Sequence, residues 1–359
     1  MERICIVTTS LGAGGAERFS ASLSIILSGL NYDVHILSTK NLIEYEFKGT
    51  LFNLEEKLKG NCSNYRKLKI LKLYFQEHSF DIIIDNRPRS QFFKEFILYY
   101  LVFKAKRIIS IIHSYNLLNY LPASIFLARW LYRKNFKLIA VSKEIQLAIL
   151  SKYGFNNCAQ IYNPVDIEEI TNKSNEPIKI KDDYILFYGR LDDSVKNFEL
   201  LLQAYKKSIL IDRGIKLYII GEGKDTLKVK TMVKDLQVED YVRFIPFLKN
   251  PFPYVKNAMF CTLTSRYEGF PMVLIESLAC GIPVISVNCK SGPQEIIQHK
   301  FNGLLVENYN PNVLSEAFNL FIENQSLYTQ CKINTASSVN QFSIQKISKE
   351  WEELLGNML

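Results

Sequence analysis

The sequence predicts an α/β fold made of two Rossmann-like domains, and three observations support this prediction. The chain has 359 residues, a length that suggests two domains at roughly 150 residues each. Short apolar runs alternate with longer helical patterns, as expected when parallel strands are buried on both faces. The same alternation begins again after residue 180, so the second half of the chain repeats the architecture of the first.

The first half opens with a strand–helix–strand unit. Residues 3–8 predict a buried strand, residues 16–30 a helix and residues 34–38 a second strand, which is the length that a parallel pair requires. Further strands are predicted at residues 82–85, 108–112 and 138–141.

The second half begins with a strand over residues 184–188, a helix over 197–207 and a strand over 216–220. Later strands are predicted at residues 242–245, 260–264 and 283–287. We expect the first domain to span 1–165, with a C-terminal helix (343–359) packed back on it, and the second to span 166–342. Residues 163–166 and 171–181 are expected to form the linker, because proline and small polar residues resist continuing a helix or strand.

The composition is that of an ordinary globular protein, with 48% hydrophobic and 22% charged residues. It excludes disordered, collagen-like and disulfide-stapled chains. Seven cysteines are scattered without a C-x-x-C pair, and we expect reduced thiols, mostly buried. No zinc site is expected, since none of the four histidines lies near two cysteines at ligand spacing.

Neither a signal peptide nor a transmembrane segment is expected. The first apolar run, residues 4–7, is too short for the apolar core of a signal peptide. The longest uncharged apolar run, residues 96–103, is far shorter than the ~18 residues that span a bilayer. We therefore expect a cytoplasmic protein, either free or peripheral on the cytoplasmic face of a membrane.

The turn after the first strand, Gly12 to Glu17, is a candidate ligand site. Its glycines let the backbone approach a ligand, and a helix N-terminus offers free N–H groups to an anion. It is not a dinucleotide fingerprint, because Glu17 replaces the third glycine, and no Lys-Ser/Thr pair completes a P-loop. A tight turn without a ligand explains these residues as well.

The first strand of the second half also ends in a candidate site, because doubly wound sheets bind ligands at the carboxyl ends of their strands. Arg190 follows this strand, and Lys196 lies six residues later. A guanidinium fork and a nearby ammonium suit a phosphate. The alternative is a solvated loop with two unrelated bases.

The most specific pattern is an E-x₇-E spacing from Glu268 to Glu276, across a glycine turn and the start of a helix near Met272. Both acids lie among apolar residues, where an unpaired carboxylate is costly. Two acids beside a helix N-terminus could bind sugar and ribose hydroxyls while backbone amides bind phosphate. The alternative is an acid that complements the helix dipole and a glutamate that faces solvent.

His113 follows a predicted strand, at a carboxyl end as well, although a single histidine is more often structural. The acid pairs Asp182-Asp183 and Asp192-Asp193 lack metal-site spacing and are interpreted as solvated loop acids. No nucleophile elbow or Ser-His-Asp order is present.

Together these residues resemble the retaining glycosyltransferases of the GT-B fold, in family 4, often called group 1. The resemblance covers nearly the whole chain. It rests on GGAER (14–18), AVSK (140–143), NPVD (163–166), GRL (189–191) with Lys196-Asn197, IIGEG (219–223), E-x₇-E (268–276), CGIPVIS (280–286), GPQE (292–295) and NGLLV (302–306).

This resemblance implies two domains that face each other across a cleft and an enzyme that moves a hexosyl group from a nucleotide diphosphate sugar to an acceptor, with retention of configuration. It implies that Arg190 and Lys196 neutralise the diphosphate, that Glu268 and Glu276 bind the donor sugar and the ribose, and that His113 contacts the sugar near O6. The further donor-binding residues that it implies are Gly14, Gly15, Gly223, Phe247, Leu248, Gly269, Phe270, Met272 and Val273.

The resemblance implies neither a cofactor nor a divalent metal. A UDP-sugar is favoured over a GDP-sugar as donor. The implied setting is assembly of a bacterial surface polysaccharide such as capsule, O-antigen or exopolysaccharide. Asn197 departs from the family, where glycine often follows the lysine, and this departure puts the position of the loop in doubt.

The basic residues concentrate in the first half, where residues 1–170 hold 22 Lys/Arg against 15 Asp/Glu and the rest is nearly neutral. Residues 65–75 predict a helix with an apolar face and with Arg66, Lys67, Lys69 and Lys72 elsewhere on its surface; Arg87, Arg89 and several later bases follow. Either this is an ordinary solvated face, or it attracts an anionic membrane that carries a polyprenyl-pyrophosphate-linked acceptor. The acceptor is expected to be a saccharide or a polyprenyl-pyrophosphate-linked molecule, and the basic charge of the first half favours the lipid-linked one.

Two other function classes stay open on the residues alone. One is a sugar-nucleotide epimerase or hydrolase of similar fold, although E-x₇-E with Arg190 and Lys196 favours transfer. The other is a non-catalytic module that binds phosphosugars or nucleic acid. No nucleic acid is expected as a partner, since the chain lacks aromatic-interleaved basic stripes on a known module.

Overall fold

The computed structural model describes residues 1–12, 14–58, 60 and 62–356, and it divides the chain into two structural units. The first unit is formed by residues from Met1 to Pro164 and by the C-terminal segment from Ile344, and the second unit by Val165–Ser343. Ala13 of the glycine turn and residues 357–359 of the expected terminal helix lie outside the described residues.

The strands are β1 (Arg3–Thr8), β2 (Asp33–Ser38), β3 (Thr50–Asn53), β4 (Phe80–Asp85), β5 (Ala105–Ile112), β6 (Lys137–Ala140), β7 (Cys158–Gln160), β8 (Tyr184–Tyr188), β9 (Lys216–Ile220), β10 (Val242–Ile245), β11 (Cys261–Leu263), β12 (Val284–Val287) and β13 (Gly303–Val306).

The α-helices are α1 (Gly15–Gly29), α2 (Leu54–Leu58), α3 (Asn64–His78), α4 (Phe92–Ile97), α5 (Ile125–Tyr132), α6 (Lys143–Tyr153), α7 (Ile167–Ser174), α8 (Asp193–Lys196), α9 (Phe198–Lys207), α10 (Thr226–Asp235), α11 (Phe252–Asn257), α12 (Met272–Ala279), α13 (Pro293–Ile296), α14 (Pro311–Glu323), α15 (Gln325–Ser338) and α16 (Ile344–Gly356). A π-helix continues α4 over Leu98–Val102, and short 3₁₀ turns form at Leu117–Asn119 and Asn340–Phe342.

Each unit is built on one parallel sheet. The first sheet has the order β3-β2-β1-β4-β5-β6-β7, and the second has the order β10-β9-β8-β11-β12-β13. All the strand pairs are parallel. The predicted α/β fold is confirmed, and in each sheet the carboxyl ends of the strands meet at one edge.

The sequence analysis did not predict β3, β7 and β13, which all lie at sheet edges. An edge strand has a neighbour on one side only, so it needs no continuous apolar run, and residues such as Thr50 in β3 and Gln160 in β7 are tolerated there. β13, however, is an apolar run of four residues that the sequence analysis did not assign to a strand. The interior strands, by contrast, are almost fully buried; β8 has no exposed residue.

The expected linker is wrong over residues 171–174, because α7 occupies Ile167–Ser174. The Asp166 side chain caps this helix by accepting a hydrogen bond from the Glu169 N–H at 2.8 Å, and Ile170 is buried. The chain crosses between units one residue away from the expected points. Val165 and Ser343 form a bridge inside the second unit, and the Val165 N–H donates to the Phe342 carbonyl.

All seven cysteines are free, and all except the half-buried Cys62 are buried, as expected. None of the helices within the described residues combines the length and the apolar character that crossing a bilayer requires.

Candidate active site

At the carboxyl edge of the first sheet, three neighbouring strands lead to candidate residues. β1 leads to the glycine turn, β4 to Asn86 and β5 to His113. Because β1, β4 and β5 are adjacent in the sheet, residues far apart in sequence become neighbours here.

His113 is held by Asn86. The His113 Nε2 atom lies 2.5 Å from Asn86 Oδ1, while Asn86 Nδ2 donates to the Ala16 carbonyl at 2.6 Å and to Ser20 Oγ at 2.7 Å. Since both amide hydrogens point at α1, the amide oxygen faces the ring, and Nε2 must be the donor. The Phe19 ring packs edge-on against the imidazole at 4.9 Å.

The imidazole is neutral at physiological pH. Burial, with a further contribution from the nearby charge of Arg89, lowers the pKa of His113 from its ordinary value of 6.5 to about 3. The residue as a whole is half-buried. With Nε2–H committed to Asn86, the neutral tautomer presents Nδ1 as its acceptor. His113 can therefore accept a hydrogen bond at Nδ1, and it does not act as a cation.

Gly14 and Gly15 begin α1. Gly14 is extended and no side chain caps the helix, so the first N–H groups need other partners. A Cβ at Gly15 would meet nothing within 4 Å. The protein's own packing therefore does not require glycine at position 15, which is exposed.

Asp85, Arg87, Arg89 and Glu95, which are close to Asn86 in the sequence, form a buried ionic cluster. The sequence analysis did not predict this cluster. Arg87 bonds Asp85 with two nitrogens, at 2.9 and 2.8 Å, and reaches Glu95 at 3.0 Å. Arg89 donates to the carbonyls of Asp85, Arg87 and Ile111. Both arginines are buried, so for them both expectations, a solvated basic face and a face that attracts a membrane, are wrong. They hold the loop that carries Asn86.

The pKa values of the two acids in this cluster shift in opposite directions. Burial raises the pKa of Asp85, but the Arg87 and Arg89 charges outweigh it and hold that pKa below its ordinary value. Burial raises the pKa of Glu95, and the charge of Arg87 only partly opposes the rise.

In the second unit, Lys196 and Glu268 form an ion pair. The Lys196 Nζ atom lies 2.6 Å from Glu268 Oε1, and Ser265 Oγ donates to the same oxygen at 2.5 Å. The two side chains are 16% and 14% exposed. The structure therefore brings together two residues from separate sequence motifs, which the family resemblance had assigned to one site.

Asn197 stands where glycine often follows the lysine in the resembled family, and its backbone conformation is one that glycine also adopts. Its φ of 55° and ψ of 59° are left-handed, a conformation that glycine adopts freely and that asparagine tolerates best among the other residues. The Thr264 hydroxyl also donates to the Lys196 carbonyl at 2.9 Å.

Arg190 and the glycines near it have different roles. Arg190 is exposed, and its side chain has no ion-pair partner among the described residues. A Cβ at Gly223 would lie 2.3 Å from the Leu191 carbonyl oxygen, and one at Gly221 would lie 2.1 Å from that of Gly189. These glycines are therefore required by close backbone packing between the loops after β8 and β9, whether or not Gly223 touches a ligand.

Glu276 is buried within α12. Tyr188 Oη lies 3.3 Å from Glu276 Oε2 and donates to the Val273 carbonyl at 2.7 Å. Met272 and Val273 are half-buried in the first turn of this helix, whose N-terminus has no side-chain cap. Open N–H groups at this end would suit an anion.

The turn before α12 is tightly packed. Gly269 and Phe270 are buried, and Ser291 Oγ donates to the Gly269 carbonyl at 2.8 Å. After β10, Phe247 is 52% exposed and Leu248 is half-buried. Phe247 is thus available to a ligand, whereas Phe270 mainly supports the turn.

The interpretation of the acid pairs as solvated is wrong for Asp193, which is buried. Its carboxylate accepts from the Phe198 N–H at 2.8 Å and from Lys228 Nζ at 2.7 Å. Across the described part of the chain, no cluster of His, Cys, Asp and Glu could hold a metal ion.

Two protein-family models match the chain, and each covers most of one of the two units. A family model described as Glycosyltransferase Family 4 matches residues 13–169, and one described as Glycosyl transferases group 1 matches residues 168–338. A Campylobacter jejuni enzyme is 31% identical over 98% of both chains. It is named N-acetylgalactosamine-N,N'-diacetylbacillosaminyl-diphospho-undecaprenol 4-alpha-N-acetylgalactosaminyltransferase.

Two solved structures have the same fold. HepE of Anabaena, in complex with UDP and glucose, superposes with a TM-score of 0.81 at 18% identity, over 99% of this chain and 100% of that one. A TarM variant of S. aureus, in complex with Fondaparinux, alpha-GlcNAc-glycerol and UDP, gives a TM-score of 0.80 at 16% identity, over 99% of both. The chain belongs to the group 1 glycosyltransferases of the GT-B fold.

Proposed function

We propose that this glycosyltransferase moves a hexosyl group from a UDP-sugar to a polyprenyl-diphosphate-linked saccharide, with retention of configuration, in the assembly of a bacterial surface glycan. The proposal that the second unit binds the donor rests on the Lys196–Glu268 pair, since the same unit also contains Arg190 and the uncapped α12. Together these residues supply cations for a diphosphate and a carboxylate for sugar hydroxyls.

In this proposal the cations act on the leaving group. As the bond from the anomeric carbon to the diphosphate breaks, negative charge grows on the diphosphate oxygens. Arg190 and Lys196 stabilise that charge because they are placed before the reaction begins. The open N–H groups of α12 would add to this effect.

Glu268 is assigned to sugar hydroxyls and not to nucleophilic attack. Its Oε1 atom already accepts hydrogen bonds from Lys196 and Ser265, which lowers its nucleophilicity. Glu276, beside Tyr188, is assigned to the ribose. His113, neutral and with Nδ1 as acceptor, is assigned to a sugar hydroxyl near O6.

The donor and acceptor classes are supported by relatives. HepE and TarM were solved with UDP, which supports a UDP-sugar. The name of the Campylobacter relative contains diphospho-undecaprenol, which supports a lipid-linked acceptor. We also propose that no divalent metal is needed, because Arg190 and Lys196 supply the positive charge that a metal would supply elsewhere.

The donor is tested first with UDP-, GDP- and dTDP-sugars. The true donor should raise the melting temperature, since a ligand that binds only the folded state stabilises it. Transfer is then followed with EDTA present and a polyprenyl-diphosphate-linked saccharide as acceptor. We expect product formation, with the product's anomeric configuration, read from its NMR coupling constant, matching that of the donor.

Two outcomes would contradict parts of this proposal. Release of free or epimerised sugar, with no transfer to any acceptor, would contradict the transfer reaction. An inverted product would contradict retention alone and would leave the donor assignment standing.

A further inference from the structure

An aromatic stripe runs between α4, its π-helical continuation and α5. The Phe96 and Trp130 rings stack at 5.0 Å with 10° between their planes, and Tyr100 stacks on Trp130 at 5.7 Å. Phe92 lies 6.0 Å from the same indole. Phe92, Phe96 and Tyr100 are spaced by four residues and share one helix face. All four rings are half-buried, so the stripe reaches the protein surface.

The stripe is extended by exposed apolar residues at one end. Phe126 precedes Trp130 by one turn on the same face of α5 and is 78% exposed. Phe93 is 79% exposed, and its ring packs edge-on against Phe92 at 5.5 Å. Ile125 and Leu127 are exposed beside Phe126. Contiguous apolar groups of this size on a surface mark an interaction site.

Cations lie over the other end of the stripe. Lys134 Nζ is 4.5 Å from the centre of the Tyr100 ring, and the Arg133 guanidinium is 5.7 Å from it. Both residues are exposed. Each charge is thus held against an aromatic face while its outer side stays free for an anion.

The sequence around this surface is almost without acids. Residues 91–137 contain eight Lys/Arg and a single acid, Glu95. Glu95 is buried and paired with Arg87, so it does not offset the surface cations. Lys106 is paired with Asp81, whereas Arg133 and Lys134 have no ion-pair partner within the described residues. Exposed aromatic rings beside these two cations match the headgroup region of an anionic bilayer, where Trp and Tyr are enriched and Lys and Arg meet lipid phosphates.

The apolar end of the surface lies at the same sheet edge as His113. α4 and α5 follow β4 and β5, so in this parallel sheet both helices begin on the side where those strands end. Phe93 is the second residue of α4, and Ile125–Leu127 open α5. His113 follows β5 at that same edge.

We propose that this surface, formed by Phe93, Phe126, Trp130, Arg133 and Lys134, binds an anionic lipid bilayer. Phe93 and Phe126 enter the headgroup region, and Arg133 and Lys134 contact lipid phosphates. Docking in this way would bring the edge that carries His113 close to the plane in which a lipid-linked acceptor lies. α3 packs against the π-helix, so this helix lies beside the proposed surface and contributes none of the five residues that form it.

Vesicle flotation tests the proposal without donor or acceptor, so its failure is separate from failure of the proposed function. The probes are vesicles of phosphatidylcholine with phosphatidylglycerol at 3:1 (about 25% anionic lipid, enough for electrostatic attraction) and vesicles of phosphatidylcholine alone. The proteins are the wild type, the double variants F93S/F126S and R133E/K134E, and the matched control I333S, which changes a 74% exposed residue of the second unit.

We expect wild type and I333S to float equally with anionic vesicles and to be released by salt. Both double variants should lose at least tenfold in binding, while their melting temperatures stay near that of the wild type. F93S/F126S should keep its transfer rate to a water-soluble, short-chain acceptor, since these residues do not touch the donor site.

Three results would overturn the proposal. These are no wild-type binding to anionic vesicles at low salt, undiminished binding of F93S/F126S, or loss of binding only when Lys67, Lys69 and Lys72 of α3 are replaced by glutamate. The last result would place the membrane contact on α3. If F93S/F126S loses binding and also has a lowered melting temperature, the single variant F126Y is tested as well. F126Y keeps the aromatic ring, so its binding and its melting temperature should both match those of the wild type.

Discussion

The Lys196 ammonium and the Glu268 carboxylate lie 2.6 Å apart although 72 residues separate them in sequence. Lys196 is the last residue of the short helix α8, which follows β8, and Glu268 lies in the loop after β11; both are at the carboxyl edge of the second sheet. The pair neutralises two partly buried charges in the free enzyme. It also places a cation and an acceptor within one side-chain length of each other.

Replacing Lys196 with alanine should lower kcat by about 100-fold to 1,000-fold, the usual cost of losing one preorganised charge at a transition state. K196R should recover part of the rate, because it keeps the charge but changes its shape. Rates of release of the nucleoside diphosphate with saturating acceptor measure the effect. K224A, which removes an exposed lysine paired with Asp192, is the matched control. A K196A rate equal to that of K224A would refute the role.

Asn86 is a positioning residue for His113, and N86A should lower kcat/KM by about fivefold to tenfold, the equivalent of one hydrogen bond of about 1 kcal/mol. A purely structural role would lower the melting temperature without changing the pH profile. N86D separates the two roles, because a carboxylate facing Nε2 should raise the pKa of His113. Its kcat/KM should then fall between pH 7 and pH 5, where the wild type stays flat.

Stability should also depend on pH through His113. Its pKa is about 3 in the folded chain against an ordinary 6.5, so between these values the unfolded chain binds more protons. The free energy of unfolding must therefore decline as pH falls from 6.5 towards 3. Urea unfolding at pH 7.5 and pH 5 measures this decline. H113Q cannot titrate but can still donate to Asn86, so it should decline less. His35, whose pKa is also lowered by burial, is common to both proteins; equal declines would contradict the prediction.

The buried cluster predicts a large cost for Arg87→Met. Asp85 and Glu95 would lose the cation they share, and an unpaired buried charge typically costs about 3–5 kcal/mol. Chemical unfolding measures the loss. Lys106→Met breaks an ion pair with Asp81 in which the lysine is exposed, and it should leave stability unchanged within error. Similar losses in both variants would show that burial is not the cause.

Asn197→Gly should keep full activity, and Asn197→Ala should cost about 1 kcal/mol, because alanine is strained in the left-handed region. The alanine variant should also raise the KM for the donor, since the strain is relieved by moving Lys196. Asn31, with a φ of 64°, is the control: N31A should lose similar stability without a change in KM. An unchanged donor KM in N197A would show that the loop position does not depend on this residue.

Much of the fold could be predicted because interior parallel strands are buried on both faces and therefore form continuous apolar runs. β1, β4 and β8 were predicted this way, to within two residues at either end. Edge strands such as β3 and β7 are not under this constraint, and α7 was hidden by polar residues that a surface helix tolerates.

The candidate site was predicted in part. The rule that ligands bind at carboxyl ends of parallel strands selected His113, Arg190 and Glu268. The same rule could have selected Asn86, which follows β4 directly, but no motif marked it. Arg87 and Arg89 were misassigned because arginine is mostly exposed, and only a folded chain shows which arginines are buried with partners.

The two sheets, the loops at their carboxyl edges and the residue types in those loops can be predicted from the sequence alone, because hydrophobic period and motif spacing are local properties. The pairings can be seen only in the folded chain: Lys196 with Glu268, Asn86 with His113, and Arg87 with two buried acids. Such contacts depend on which strands are adjacent and on which charges are withdrawn from water. Strand order and burial are properties of the whole folded chain, and no short segment contains them.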